Sequence, residues 1–325
     1  MKVLVTGGAG FIGSHVCDHL LAWGDHVHAL DNLSLGRMEN VAHNMDNREF
    51  RFIQADLLDM DALHRLFAAE RYEAVFHLAA NSDIQRSAKE TDLDLKQTFL
   101  TTCNVVECAR RSGVRDILFA SSSTIFGVHA KPISETTAPL TPVSLYGAAK
   151  LAAEGYLTAY ASLFGLSVWI FRLPNVVGSR LTHGCVYDFV GRLRRDPTQL
   201  LILGDGTQQK PYAHVRDVID AVMLAWEHAL DRVNVFNISA DGVTTVGDIA
   251  RIVIEEMGLR NVRVEFTGEE RGWPGDVPQF QYDSRKIRAL GWEPRRNSDD
   301  AIREAVRSLL ESTPAGEPSP LKEWS

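Results

Sequence analysis

Apolar and polar positions alternate along the first half of the chain in a pattern that predicts strands followed by helices. Predicted strands cover residues 2–6, 26–30, 50–53, 74–78 and 116–120. Predicted helices cover residues 14–21, 60–69, 91–111 and 144–164. Because strand–helix–strand units build parallel sheets with right-handed crossovers, we predict an α/β protein with a doubly wound parallel sheet.

The pattern changes after Arg172 into shorter elements with Pro and Gly, which predicts a smaller, mixed α/β substrate-binding region. We place the sheet domain at 1–172, rejoined by about 212–238 through a helix predicted at 216–227. The smaller region then covers 173–211 and 239–311. Residues 312–325, rich in Pro and Ser, are predicted to be a disordered tail.

Length and composition narrow the class of protein. The 325 residues include 34 Lys and Arg and 42 Asp and Glu, for a net charge of −8, and no basic block favours a nucleic-acid or membrane surface. The four cysteines lack metal-ligand spacing, so we predict no metal site. No apolar stretch reaches the roughly 18 residues of a membrane span, and Met1-Lys2 leads straight into a strand. We therefore expect no signal peptide and a cytoplasmic location.

The first predicted strand opens directly into a glycine-rich turn. The glycines fit either of two spacings, with Gly7 or Gly8 as the first member and Gly10 and Gly13 as the others. Such a turn lets the backbone approach a pyrophosphate and directs a helix N-terminus at the anion. The second strand leads into Asp31, whose carboxylate suits two ribose hydroxyls and repels a 2′-phosphate. We therefore predict a dinucleotide site that prefers NAD to NADP.

Tyr146 and Lys150 lie one turn apart on the predicted helix 144–164. An ordinary phenol has a pKa of about 10, and a fixed ammonium one turn away favours the phenolate. The pair therefore predicts a general acid/base directed at a hydroxyl. By itself the spacing favours a tyrosine at the edge of the core beside a solvated lysine, because this spacing occurs by chance in many surface helices.

Taken together, these motifs resemble the extended short-chain dehydrogenase/reductase superfamily. Within it, the chain is similar to the NAD-dependent epimerase/dehydratase family and its UDP-glucose (UDP-galactose) 4-epimerase-like members. The resemblance runs from Met1 to about Ser308. It rests on residues 6–13, 31–34, 77–80, 121–127, 146–150, 175–178, 204–206 and 275–276.

The resemblance implies NAD as the cofactor, bound by residues that follow the strands of the sheet domain. The implied contacts are Gly7, Gly10, Phe11, Ile12, Gly13, Asp31, Asn32, Ser34, Asp56, Leu57, Leu78, Ala79, Ala80, Asn81, Ser121, Tyr146 and Lys150.

The resemblance also implies a catalytic set of three residues. Tyr146 would be the acid/base, Lys150 would bind the nicotinamide ribose and lower the Tyr146 pKa, and Ser122 would order the sugar. Serines in turns often only cap backbone groups, and that alternative is stronger for Ser121 and Ser123 than for Ser122. Implied substrate contacts are Ser82, Arg86, Ser122, Ser123, Thr124, Tyr146, Asn175 (the diphosphate), Val186, Phe189, Lys210, Arg271 and Asp276 (the nucleotide ribose).

The chain departs from the family pattern at several of these positions. Lys210 stands where an arginine is usual, and a lysine cannot make the bidentate contact of a guanidinium. Asp94 replaces a common asparagine near the cofactor, and Arg271 is displaced by two residues from its usual spacing to Asp276. Ser123-Thr124 replaces the Asp-Glu pair of sugar-nucleotide 4,6-dehydratases, which argues against a dehydratase.

The implied enzyme is an isomerase, a nucleotide-sugar 4-epimerase acting on a UDP-hexose or UDP-hexuronic acid through a transient 4-keto sugar. Decarboxylation, dehydration and net reduction of a nucleotide sugar remain alternatives, as does an NAD-binding module without catalysis. The family commonly dimerises through two helices of each chain, so we expect a homodimer through helices 91–111 and 144–164.

Overall fold

The computed structural model describes residues 1–129, 132–268, 275 and 277–312. Its strands are β1 (Lys2–Thr6), β2 (His26–Asp31), β3 (Phe50–Gln54), β4 (Ala74–His77), β5 (Asp116–Ser122), β6 (Ser167–Leu173), β7 (Asn175–Val177), β8 (Gln199–Ile202), β9 (Gln209–Lys210), β10 (Tyr212–His214), β11 (Val233–Asn237), β12 (Thr244–Thr245) and β13 (Arg263–Phe266).

The α-helices are α1 (Phe11–Ala22), α2 (Met60–Glu70), α3 (Thr101–Arg111), α4 (Leu145–Phe164), α5 (Cys185–Arg195), α6 (Val215–His228), α7 (Val246–Glu256), α8 (Arg285–Arg288) and α9 (Ser298–Ser312). Short 3-10 turns lie at Met38–Asn40, Ala42–Asn44, Arg86–Ala88 and Ser123–Ile125, and a π-helical segment at Leu95–Leu100. No helix in the described ranges is both long and apolar enough to cross a membrane.

Seven strands form one parallel sheet in the order β11-β6-β5-β4-β1-β2-β3. Successive side chains of β1 point to opposite faces, since Val3 and Val5 join one hydrophobic cluster and Leu4 joins another. Helices α1 and α6 cover the first face, and α2, α3 and α4 cover the second. The predicted α/β fold with a doubly wound parallel sheet is confirmed.

Helix α4 is delimited by local sequence signals. The Ser144 hydroxyl accepts a hydrogen bond from the Gly147 N–H at 3.1 Å, which caps the first turn. Gly165 ends the helix with φ at 78°, a left-handed conformation that costs glycine little. The predicted range 144–164 therefore agrees with the observed helix to within one residue.

The helix predicted at 91–111 is wrong in its first part. An α-helix covers Thr101–Arg111, but the turns before it form the π-helical segment Leu95–Leu100. The Thr101 and Thr102 hydroxyls donate to the carbonyls of Gln97 and Thr98, at 2.9 and 2.7 Å, and so compete with the regular backbone bonds. Apolar spacing carries no signal for such a widened turn.

The smaller region has its own hydrophobic cluster, built by α5, α7 and α9 with β8 and β10. Among the described residues, three two-stranded sheets, β7/β10, β8/β13 and β9/β12, lie outside the large sheet. Between β10 and β12 the chain returns to the sheet domain. There α6 packs on the first face of the large sheet, and β11 pairs with β6. Of the predicted tail, Ser312 ends α9 and the remainder lies outside the described residues.

Candidate active site

The glycine turn joins β1 to α1, and its glycines have no room for a side chain. A Cβ on Gly13 would lie 2.1 Å from the Gly7 carbonyl oxygen, and one on Gly7 would lie 2.8 Å from the Ala79 nitrogen. No side chain caps the start of α1 at Gly10. The first N–H groups of the helix are therefore available to an anion.

Asp31 ends β2 beside this turn and is buried. Its carboxylate accepts the Ala9 N–H at 3.1 Å and the Leu33 N–H at 2.8 Å. Burial raises the pKa of this carboxyl, and the two backbone hydrogen bonds oppose that change. The carboxylate thus holds the glycine turn against the end of β2, and its contact with a ribose stays a prediction.

Two of the predicted cofactor contacts, Asn32 and Asp56, meet across neighbouring strand ends. The Asn32 amide donates to the Asp56 carboxylate at 3.1 Å, and the same carboxylate accepts the Leu58 N–H at 2.8 Å. The Leu57 carbonyl accepts the Asn104 amide at 2.8 Å, which ties this loop to α3. Ser34 follows Asn32 in an exposed turn.

The Tyr146–Lys150 pair lies on the first turns of α4, against the end of β5. Lys150 is 1% exposed, and its Nζ donates to the Ala120 carbonyl at 2.6 Å and lies 4.5 Å from the centre of the Phe119 ring. The ammonium is 5.7 Å from the centre of the Tyr146 ring. The sequence placed these two groups on one helical face, and they lie side by side.

The ionisation of this pair differs from the expected one. Burial raises the pKa of the Tyr146 phenol, the negative charge of Asp94 raises it further, and the Ser122 hydroxyl lowers it. Burial lowers the pKa of the Lys150 ammonium to about 7, against the opposing effect of Asp94 and Glu154. The sequence predicted that Lys150 lowers the Tyr146 pKa. With only the groups of the chain itself acting on it, the Tyr146 pKa is instead raised.

A close approach between two backbones positions Ser122 beside Tyr146. A Cβ on Gly147 would lie 2.5 Å from the Thr124 carbonyl oxygen, so only glycine lets α4 pack against the turn after β5. Within that turn the Ser122 hydroxyl accepts the Thr124 N–H at 3.2 Å and the Thr124 hydroxyl at 3.0 Å. Because it accepts both bonds, the serine hydroxyl keeps its own proton for the Tyr146 oxygen, and this bond lowers the Tyr146 pKa.

Ser121 belongs to a buried network that the sequence pattern did not reveal. Its hydroxyl donates to the Glu154 carboxylate at 2.5 Å, and Arg172 pairs with the same carboxylate at 2.8 Å. Glu154 lies one helical turn beyond Lys150. This i, i+4 spacing was the signal in the sequence that could have placed Glu154 near the site. The Ser121 hydroxyl is thus engaged inside the protein.

A second network holds the loop after β4. The Asn81 amide donates to the Asp94 carboxylate at 3.0 Å and to the Ser87 hydroxyl at 3.1 Å, while the Asn81 backbone N–H donates to the Thr98 hydroxyl at 3.2 Å. The Asn81 amide therefore organises its own loop. Ser87 was not predicted, and it lines a half-open cleft with Ile84, Ala88, Val143, Ser144, Leu145 and Gly275.

The remaining predicted substrate contacts are spread over the smaller region and the surface. Arg86 is exposed and pairs with Glu90. Val186 and Phe189 are buried in the hydrophobic cluster of the smaller region, so their packing role is evident and their substrate contact stays a prediction. Asn175 starts β7, Lys210 ends β9, and Ser82 lies in the loop after Asn81. Arg271 and Asp276 lie outside the described residues.

Comparison with known proteins identifies the family of this fold and site. The NAD dependent epimerase/dehydratase family matches residues 3–239. The chain belongs to this family. It is 34% identical over 313 residues to a UDP-glucose 4-epimerase of Mycolicibacterium smegmatis, covering 94% of this chain and 97% of the relative. It is 31% identical over 308 residues to UDP-glucuronic acid decarboxylase 4 of Arabidopsis thaliana, covering 91% of this chain and 65% of that protein.

A solved structure agrees over nearly the whole fold. The crystal structure of the Thermus thermophilus UDP-glucose 4-epimerase in complex with NAD matches with a TM-score of 0.86 at 32% identity, covering 96% of this chain and all of the other. The predictions of an NAD-dependent enzyme and of this family are confirmed.

The residues at the strand ends fit NAD. The tight turn at Gly13, the uncapped start of α1 and the buried Asp31 carboxylate would hold the pyrophosphate and the adenosine ribose of NAD. When bound there, NAD supplies the hydride acceptor that this chain's own side chains cannot provide.

Proposed function

We propose that this protein is an NAD-dependent 4-epimerase of a nucleotide sugar, most simply a UDP-hexose or a UDP-hexuronic acid. The observation that carries the proposal is the joint placement of Ser122, Tyr146 and Lys150 at the end of β5 and the start of α4. The likeness to the UDP-glucose 4-epimerase of M. smegmatis supports the choice of reaction and nucleotide.

In the proposed reaction Tyr146 moves one proton. Its phenolate accepts the proton of the sugar C4 hydroxyl during oxidation and returns it after the 4-keto sugar has turned over in the pocket. The Ser122 hydroxyl stabilises the phenolate, since it lowers the pKa of Tyr146. General acid/base groups of this kind contribute roughly 10²–10⁴-fold to rate.

Lys150 supplies the positive charge of the site. Its ammonium is fixed by the Ala120 carbonyl at 2.6 Å and buried against Phe119, so it cannot leave the site without losing its contacts. Below its pKa of about 7 it is an ammonium that can donate to a cofactor ribose and attract the phenolate. Positioning and electrostatics are therefore the protein's contribution.

The turn after β5 favours epimerisation over dehydration. Ser123 and Thr124 occupy the 3-10 turn next to Ser122, and their hydroxyls cannot act as the carboxylic acid and carboxylate pair that removes water. The same hydroxyls could hold a hexuronic acid. The likeness to UDP-glucuronic acid decarboxylase 4 makes decarboxylation of such a substrate the second candidate.

A panel of nucleotide sugars tests the proposal. The protein with its bound cofactor is incubated with UDP-glucose, UDP-galactose, UDP-N-acetylglucosamine and UDP-glucuronate without added reductant, and the products are followed by NMR. We expect the C4 epimer of at least one sugar, formed at least about 100-fold more slowly by the Tyr146→Phe control. Carbon dioxide with a 4-keto pentose or a pentose, or a 6-deoxy-4-keto sugar, in place of an epimer would refute the proposal.

We also propose that the protein is a homodimer through the π-helical segment, α3 and α4. These elements expose an aromatic and aliphatic surface, with Leu163 73% exposed and Tyr156 and Phe164 about half exposed. Phe99 packs edge-on against Tyr156 at 5.0 Å between ring centres, so the surface continues from one helix to the next. A second copy would bury this face.

Light scattering tests the dimer. The unchanged chain is expected to have the mass of a dimer at micromolar concentration, and Cys103→Glu or Ala159→Arg is expected to shift it toward the monomer. A matched control is Leu230→Glu, because Leu230 is 86% exposed, follows α6 and belongs to none of the three elements of the proposed interface. A monomeric unchanged chain would contradict the proposal.

A further inference from the structure

Asp94 is a buried carboxylate whose hydrogen-bond donors are all neutral. It is 1% exposed, accepts the Asn81 amide at 3.0 Å and the Thr98 hydroxyl at 3.1 Å, and also accepts the Ser87 hydroxyl. No ion pair within the described ranges involves this residue. A buried charge without a directly bonded cation is costly unless another charge nearby compensates it.

The Lys150 ammonium is such a charge, because it and Asp94 are held at adjacent strand ends. Asn81, which donates to Asp94, follows β4, and Ala120, which accepts from Lys150, lies on the paired strand β5. Asp94 also precedes the π-helical segment, which packs against α4, the helix that carries Tyr146 and Lys150. Both Asp94 and Lys150 are 1% exposed. In so dry a setting, unit charges interact strongly even when they are not in hydrogen-bond contact.

Of the other titratable groups near Lys150, one is paired with an arginine and one is neutral. Asp94 is therefore the negative charge near Lys150 that no other cation of the described residues balances. Glu154 on α4 is neutralised by Arg172, at 2.8 Å. His77 on β4 bonds Thr6 and Thr102, and burial lowers its pKa to about 3, so it is neutral.

The charge of Asp94 acts on both members of the pair in the same direction. It opposes the effect of burial on Lys150, whose pKa is about 7, and it raises the pKa of Tyr146. A negative charge favours the ammonium over the amine and the phenol over the phenolate. Replacing it by a neutral amide should therefore lower both pKa values together.

We propose that Asp94 is a positioning residue for the Tyr146–Lys150 pair, whose buried carboxylate is the counter-charge of the Lys150 ammonium and sets the pH range in which the pair works. The role of the pair rests on the epimerase proposal, but the charge coupling itself does not.

The coupling is measured directly in the protein with its bound cofactor. The Lys150 side chain is titrated by NMR in protein labelled with ¹³C-lysine, for the unchanged chain and for Asp94→Asn. We expect Asp94→Asn to lower the Lys150 midpoint by about one pH unit or more. Asp94→Glu, which keeps the charge, should restore most of the original midpoint.

Asp92→Asn is the matched control. Asp92 lies two residues earlier, is exposed and pairs with Lys96 on the surface, so its removal should leave the Lys150 midpoint in place. Should Asp94→Asn fail to fold, Asp94→Ser carries the same test, because it also removes the charge while keeping a hydroxyl for Asn81.

The pH profile of turnover gives a second readout. Both limbs of the profile should move to lower pH in Asp94→Asn, because the base and the ammonium lose the same negative neighbour. An unchanged Lys150 midpoint in the neutral variants, or an equal shift in Asp92→Asn, would overturn the proposal. A shifted midpoint in a protein that forms no epimer would refute the epimerase function and leave the Asp94 coupling standing.

Discussion

The two sides of the candidate site are built by different means. On the β1–β2 side the backbone forms the site, because Gly7 and Gly13 have no room for a side chain and Asp31 accepts two backbone N–H groups. On the β5–α4 side, side chains form it, and buried charges at Lys150 and Asp94 set its chemistry. A cofactor cradle thus requires local geometry, whereas acid/base chemistry requires neighbours from distant parts of the chain.

Removing the phenol hydroxyl should have the largest effect, and only on the β5–α4 side. Tyr146→Phe is expected to lower turnover by about 10²–10⁴-fold, because the proton of the C4 hydroxyl loses its acceptor. The released dinucleotide, measured after denaturation, should stay equal to that of the unchanged protein. If the variant lost bound NAD together with activity, cofactor binding on the β1–β2 side would depend on the phenol of the β5–α4 side, against this prediction.

Breaking the buried ion pair behind Ser121 should destabilise the fold. Glu154→Gln is expected to cost about 3 kcal/mol of unfolding free energy, because Arg172 is left charged and buried without its partner. Denaturant unfolding measures the change. Glu255→Gln, which removes solvent-accessible pairs with Arg251 and Arg303, should cost far less, because solvent screens both pairs. Equal costs for the two variants would contradict the assignment.

Two glycines of α4 separate a geometric requirement from helix propensity. Gly147→Ala should push the Thr124 turn away and lower turnover by about 100-fold, because misplacement by about 1 Å has effects of that size. At Gly155 an added methyl group would meet no neighbouring atom of the same chain within 4 Å, so Gly155→Ala should preserve turnover and stabilise the single chain by up to about 1 kcal/mol. Similar kinetics for both variants would show that the approach of α4 to β5 is not required.

The smallest effect is expected on the β1–β2 side. Asp31→Asn keeps the size and one acceptor of the side chain but removes the charge that repels a 2′-phosphate. We expect the preference for NAD over NADP to fall about tenfold, since a single exposed phosphate contact is worth on the order of 1 kcal/mol. Competition binding measures the ratio. Asp59→Asn, which alters only the cap of α2, is the control and should leave it unchanged.

The sequence predicted those parts of the candidate site that depend on residues close together along the chain better than those that depend on distant residues. The Ser144 cap and Gly165 located α4, and the i, i+4 spacing placed Tyr146 and Lys150 on one face. The start of α1 was placed at residue 14 and lies at Phe11, because the helix begins inside the glycine turn. The π-helical segment was missed, since threonine hydroxyls that bond backwards leave no periodic apolar signal.

By itself the sequence determined the α/β class, the order of chemistry-bearing residues along the strands and the identity of the tyrosine–lysine pair, because periodicity and short spacings act through local geometry. Only the tertiary structure decided the charge state of that pair and the place of its neighbours. Asp94, Glu154 and Arg172 reach the site from three separate elements, and the depth of burial sets how strongly they interact. Burial is a property of the assembled fold, and no single segment of the chain contains it.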